Sequence, residues 1–204
     1  MTPQHEPLEL AVLGRVLDGL KGLSTEHGRD EPAPRPTGMP LVESRDVDLA
    51  VWPLFAGLGP LGALSTVPRV VRSFSKVVLG ISGLTALQDD TELLMSELAT
   101  NALAAATGPD GRPRYDDSGS LYLLWARLLS DRTRLRIELW DTVPEELGVP
   151  VQRQANTTDE SGRGLELIDA LSATWGWEPV PGRAAKKVWA ELPKPADEEA
   201  ARTA

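Results

Sequence analysis

Ser96-Glu97-Leu98-Ala99-Thr100-Asn101-Ala102 sits inside Asp89–Thr107, the longest strongly helical run of the chain. Asp89, Asp90 or Thr91 could each cap the free N–H groups at its start. Leu94, Leu98 and Ala105 recur near one face, so the run reads as a core helix. Glu97 and Asn101 stand one turn apart and project from the same side. A carboxylate and an amide so placed can orient a water and complete the shell of a hard cation such as magnesium. The plainer alternative is a solvated polar patch on an amphipathic helix.

Composition narrows the choices around that pair. The chain has 204 residues, 41% hydrophobic and 25% charged, which suits one domain of ordinary size with extensions and a real core. A net charge of −9 argues against a nucleic-acid or anionic-membrane surface. With no cysteine, disulfide frameworks, thiolate metal sites and cysteine nucleophiles are excluded together. His5 and His27 are the only histidines, leaving almost no material for a histidine metal site or a Ser-His-Asp triad. No apolar run approaches the ~20 residues of a membrane span. Met1–Leu10 lacks the basic start and apolar core of a signal peptide, so the chain is expected to be cytoplasmic.

Upstream of the central helix, Leu8, Val12, Leu13, Val16, Leu17 and Leu20 form an apolar stripe at helical spacing, so residues 1–23 read as an N-terminal helical extension. Residues 24–46 hold Pro32, Pro34, Pro36 and Pro40 among charged residues and read as a linker. Residues 47–193 form the main domain and 194–204 a charged tail. The domain's entry, Asp48–Leu64, mixes apolar residues with Pro53, Gly57, Gly59, Pro60 and Gly62, and its pattern fits short strands or irregular chain equally. Ser65-Thr66-Val67-Pro68 predicts a hydroxyl-capped helix start, carried on by Val70, Val71, Phe74, Val77 and Val78 until Gly80 and Gly83 weaken it.

Downstream the period changes to two. Ser120–Leu129 and Arg134–Trp140 predict a hairpin joined by Ser130-Asp131-Arg132-Thr133. The alternation puts Leu135, Ile137, Leu139 and Asp141 on one face, and Arg134, Arg136, Glu138 and Trp140 on the other. Asp141 is thereby expected on the core side, where a carboxylate is costly unless it receives hydrogen bonds. Either it starts the turn Asp141-Thr142-Val143-Pro144, or it accepts from the exocyclic amine of a buried purine. Thr142–Ser161 has no convincing period and reads as a functional lid or mobile connection. Gly162-Arg163-Gly164 then opens a helix containing Leu165, Ile168, Leu171 and Trp175. Its backbone N–H groups, with Arg163, suit phosphate oxygens, and the alternative is a Gly-x-Gly that only serves a tight turn. Trp175–Val180, a Pro181-Gly182-Arg183 turn and Lys186–Leu192 predict a second hairpin. The order helix, helix, hairpin, lid, helix, hairpin predicts an α/β (α+β) domain, a two-layer sandwich with a mixed or antiparallel sheet and helices on one face.

These pieces, in this order, resemble the GHKL (Bergerat-fold) ATPases over residues 61–193. The likeness is closest to the small bacterial branch of anti-sigma-factor serine/threonine kinases and stand-alone histidine-kinase-like ATPase domains. Glu97-Leu98-Ala99-Thr100-Asn101-Ala102 is similar to that branch's Glu-Leu-x-Thr-Asn-Ala box, and Leu139-Trp140-Asp141 followed by Pro144 to its adenine box. Glu160-Ser161-Gly162-Arg163-Gly164-Leu165 resembles the box that closes onto the phosphates, and Lys187-Val188-Trp189-Ala190-Glu191-Leu192 the closing strand. The resemblance implies ATP and magnesium as cofactors. It assigns Glu97 as catalytic base, Asn101 as magnesium ligand and Asp141 as the adenine-reading carboxylate, with Gly162, Arg163, Gly164 and Leu165 at the phosphates. It further implies a protein partner, a sigma factor or an anti-sigma antagonist-like protein, and admits a homodimer, with no direct nucleic-acid or membrane binding. The chain departs from the pattern where Val143 and Glu145 replace the adenine-box glycines, and where Ala105 replaces a histidine. It departs again where Ala185, Lys186 and Lys187 occupy the region that holds a threonine. Nucleotide-gated binding without turnover, or a degenerate contact domain, are the alternatives those departures raise.

Overall fold

A computed structural model describes residues 48, 50–148, 163–181 and 183–195. The expected N-terminal helix, the linker and most of the expected lid lie outside the described residues, as does the tail beyond Pro195. The alternation read in Arg134–Trp140 is realised in β3 (Arg134–Asp141). Leu135, Ile137 and Leu139 are fully buried along one face, with Asp141 in line behind them. β2 (Leu123–Ser130) pairs antiparallel with β3, setting Leu124 opposite Asp141 and Leu128 opposite Ile137. Asp131–Thr133 makes the turn, as the sequence predicts. Asp131 Oδ1 accepts the N–H of Thr133 at 2.7 Å and of Arg134 at 2.8 Å, so one side chain closes the hairpin.

β5 (Lys186–Pro193) lies on the other side of β3, setting Val188 opposite Leu139 and Lys186 opposite Asp141. β4 (Thr174–Pro179) completes the second hairpin against it. The sheet has a fifth strand, β1 (Leu54–Gly62), paired antiparallel with β2 at the edge. Its register shifts between Leu58 and Leu61, around the cis Gly59–Pro60 bond. A Cβ at Gly59 would lie 2.8 Å from the Trp125 ring, so this edge strand presses directly on the indole. The strand order is β1-β2-β3-β5-β4, every pair antiparallel, and the domain belongs to the α+β class.

α1 (Val67–Ile81) and α2 (Gln88–Ala105) pack on each other, α1 also against β1 and α2 against β3 and β5. The buried stripe of α1 is Val67, Val71, Phe74 and Val78, whereas Val77 is exposed, being well off the line of that stripe. Pro68 stands in the first turn, but the cap residue Thr66 makes no side-chain cap bond. Gly83, at φ 71°, ends α1: the Leu84 N–H reaches back to the Leu79 carbonyl at 2.9 Å, a closure that favours glycine. α2 begins one residue earlier than the sequence suggests, after a 3-10 turn at Thr85–Leu87. Leu87 is its cap residue, and Asp89 and Asp90 act in the first turn as charges facing the helix dipole. Arg72 Nε donates to Ser96 Oγ at 2.9 Å, tying α1 to the middle of α2. α3 (Arg163–Leu171) packs against α2 and β4. Trp175, expected in α3, belongs to β4, and its indole N–H reaches back to Asp169 Oδ1 at 3.1 Å.

The sheet face bearing Arg127, Arg136, Glu138, Trp140, Trp189 and Glu191 carries a cross-strand lattice. The Arg136 guanidinium lies 4.2 Å from the Trp189 ring and donates to Glu138 at 3.0 Å and Glu191 at 2.9 Å. Arg127 lies 4.4 Å over Trp140. Each such stack contributes about 0.5–1 kcal/mol at an exposed site, more where desolvated. Among the described residues, no helix is long and apolar enough to cross a membrane.

Candidate functional site

The two polar side chains of the central helix meet the start of α3. Glu97 and Asn101 are half-buried one turn apart on α2. A Cβ placed on Gly164 would fall 2.8 Å from Glu97 Oε2 and 3.6 Å from both polar atoms of the Asn101 amide. The α3 backbone thus approaches a carboxylate and an amide at a distance that a side chain would block. Among the described residues, the side chains of Glu97 and Asn101 form no hydrogen bond with another side chain or backbone group. Leu165 follows in the first turn of α3, half-buried. Arg163 opens the helix, but its side chain and all of Gly162 lie outside the described residues. Gly148 closes the described part of the Thr142–Ser161 connection. It rests on the next turn of α2, where a Cβ would meet the Ala105 methyl at 2.8 Å.

Asp141 makes the second grouping, at the end of β3. It is 1% exposed, on the core face as the alternation predicts. Its Oδ1 accepts the Val143 N–H at 2.9 Å and the Lys186 ammonium at 2.7 Å. Lys186, itself 3% exposed, also donates to the Val143 carbonyl at 2.8 Å. Asp141, Val143 and Lys186 therefore close a small buried ring of charge-assisted bonds. Asp141 Oδ2 is buried and has no hydrogen-bond partner among the described residues. Burial pushes the carboxyl of Asp141 above the usual range, against the ammonium of Lys186 and the N–H of Val143, which pull it down.

The structure thus brings Glu97, Asn101 and Gly164 together and places Asp141 in a separate buried cluster. α2 packs against both β3 and β5, the strands that carry that cluster. The residue that the sequence reading passed over is Lys186. Counting back by twos from Leu192 through Ala190 and Val188 puts it on the core face. A lysine due inside, opposite a carboxylate also due inside, was the available signal. No group of three or more histidine, cysteine, aspartate or glutamate side chains fit to hold a metal occurs among the described residues.

Compared with known proteins, the chain matches no family model and no curated sequence. Fold and site define an α+β protein in which a Glu–Asn turn of α2 meets the start of α3, and a buried carboxylate has one oxygen without a partner among the described residues.

Proposed function

We propose that this chain is a cytoplasmic ATP- and magnesium-binding regulatory protein with the Bergerat fold, of the anti-sigma-factor serine/threonine kinase type. The observation that carries the proposal is the close approach of Gly164 to Glu97 and Asn101. A helix start is the place for phosphate oxygens, and the polar pair beside it suits a hydrated cation. The unsatisfied Asp141 Oδ2 supports the other end of the same ligand, since a buried acceptor without a donor fits an exocyclic amine. In this proposal Asn101 holds magnesium, which when bound supplies charge neutralisation among the phosphates. At the start of α3, Gly164 and Leu165 face the phosphate chain, and the family resemblance adds Gly162 and Arg163 to them. Glu97 takes the proton of a serine or threonine hydroxyl on a partner protein as that oxygen accepts the γ-phosphoryl group. The partner would be a sigma factor or an anti-sigma antagonist-like protein.

A second proposal, binding without transfer, is favoured by one specific observation. Val143, buried to 1% and held at both its N–H and its carbonyl, fills a position where the resembled family has glycine. A fixed, bulky backbone there suits a module that changes partner affinity on binding nucleotide and performs no chemistry. Calorimetry with ATP and ADP in magnesium tests both, because absence of binding defeats both. Transfer of labelled phosphate to co-encoded candidate proteins separates them. A kinase loses transfer with Glu97→Ala while keeping most of its binding, and a pure binding module shows no transfer at all.

A further inference from the structure

We propose that β4, at the edge of the sheet, pairs antiparallel with β4 of a second copy of this chain around a twofold axis at Gly176, joining the two five-stranded sheets edge to edge. Among the described residues β4 pairs with β5 alone. The Val180 N–H donates to the Ala185 carbonyl at 2.8 Å, in the same register that sets Gly176 opposite Trp189. An antiparallel ladder bonds every second residue. Thr174, Gly176 and Glu178 therefore spend their backbone groups on β5, and Trp175 and Trp177 turn theirs to the open edge. Neither neighbour in phase adds a donor there. Pro179 has no N–H, and the Ala173 N–H is already given to the Glu191 carbonyl at 2.9 Å.

That pattern is complementary to itself in one register. With the axis at Gly176, Trp175 of each copy meets Trp177 of the other, and both residues exchange N–H and carbonyl in two reciprocal pairs. Moving the axis to either tryptophan sets a tryptophan carbonyl against Pro179 or against the spent Ala173 N–H. The side chains agree with the backbone. Trp175 lies opposite Ala190 and Trp177 opposite Val188, so both half-buried indoles share the helix-bearing face. Pairing at Gly176 stacks them as two cross-strand aromatic pairs. On the other face, Thr174 of each copy stands opposite Glu178 of the other, so no like charges oppose.

The experiment is sedimentation equilibrium of the full chain from about 1 µM to about 1 mM, joined to a cross-link that reads the register. The chain has no cysteine, so one introduced thiol reports alone. Thr174 and Glu178 are exposed, and in the proposed ladder they form a non-hydrogen-bonded pair with Cα atoms about 4.5 Å apart, within disulfide reach. Expected are a reversible monomer–dimer equilibrium in the native chain, and a mixed disulfide as the main product when T174C and E178C chains are combined under oxidised glutathione. T174K, facing Glu178 of the second copy, should tighten the dimer about threefold to tenfold, and T174E should loosen it by a similar factor. Each variant changes an exposed side chain and is checked for folding by circular dichroism. A native chain that stays monomeric throughout the range refutes the proposal. A dimer that shows no preference for the mixed disulfide, or ignores both T174K and T174E, uses another surface and refutes it equally.

Discussion

A buried lysine opposite a buried aspartate is held by geometry rather than by its charge alone, and the consequences are testable residue by residue. Removing one member of such a pair leaves the other uncompensated, which costs about 3–5 kcal/mol, while replacing both with apolar groups is close to neutral. Lys186→Met is therefore expected to lower the urea midpoint of unfolding sharply, and Asp141→Leu with Lys186→Met to recover most of the loss. The single variant also acquires a pH signature. Without the ammonium, burial is the dominant influence on Asp141 and keeps its carboxyl high. A carboxyl that holds its proton more tightly folded than unfolded loses stability as pH rises past its unfolded value. The deficit of Lys186→Met should therefore be larger at pH 8 than at pH 5. Asp131 works in the opposite sense. Burial opposes its ionisation but is outweighed by the Thr133 and Arg134 N–H groups, the Thr133 hydroxyl and the Arg134 side chain, which bring it from 3.8 to about 2. Its contribution is present above its unfolded value and is lost as pH falls from 3.8 towards 2. Asp131→Asn should cost about 1 kcal/mol at pH 7, after allowance for its partial exposure, and almost nothing at pH 2, as read by chemical denaturation.

At the scale of elements, the start of α3 carries the sharpest contrast between folding and binding. Gly164 has no positive φ to require glycine, and alanine favours a helix over glycine by about 1 kcal/mol. The atom that a new methyl would meet is the flexible end of Glu97. Gly164→Ala should therefore leave thermal stability unchanged or slightly raised while displacing Glu97 and Asn101 and weakening nucleotide binding at least tenfold. A residue placed there only for a tight turn would lose stability instead. The glycine was legible in the sequence as part of Gly162-Arg163-Gly164, and the Glu97/Asn101 pair through its one-turn spacing. That one would touch the other followed only from the family resemblance and from no local signal, because more than sixty residues and two strands separate them. The hairpins were read correctly because Asp131 and the period-two runs are local signals. For β1 the sequence fits short strands and irregular chain equally, because Gly57, Gly59, Pro60 and Gly62 interrupt the alternation, and the pairing with β2 decides for a strand.

Across the whole molecule, the two hairpins and the helices packed against the sheet follow from where apolar residues recur at two and at three to four, whereas the strand order is seen only in the structure. The binding assignments rest on which polar groups were left without partners. A lysine in a strand pattern normally reads as solvent-facing, although the alternation with Val188, Ala190 and Leu192 places Lys186 inward, in agreement with its register opposite Asp141. In the proposed function the Glu97/Asn101 turn and Asp141 hold opposite ends of one ligand, so a change at either end must be felt by the same molecule. The most direct measurement is calorimetric titration of ADP with magnesium into the native chain and into Asp141→Asn, each checked for folding by circular dichroism. Saturable one-to-one binding to the native chain is expected, with a loss of about tenfold to a hundredfold in the variant, the size of a hydrogen bond to a charged group. A native chain that releases no binding heat and shows no thermal shift with ADP would contradict it, as would a folded Asp141→Asn that binds ADP equally well.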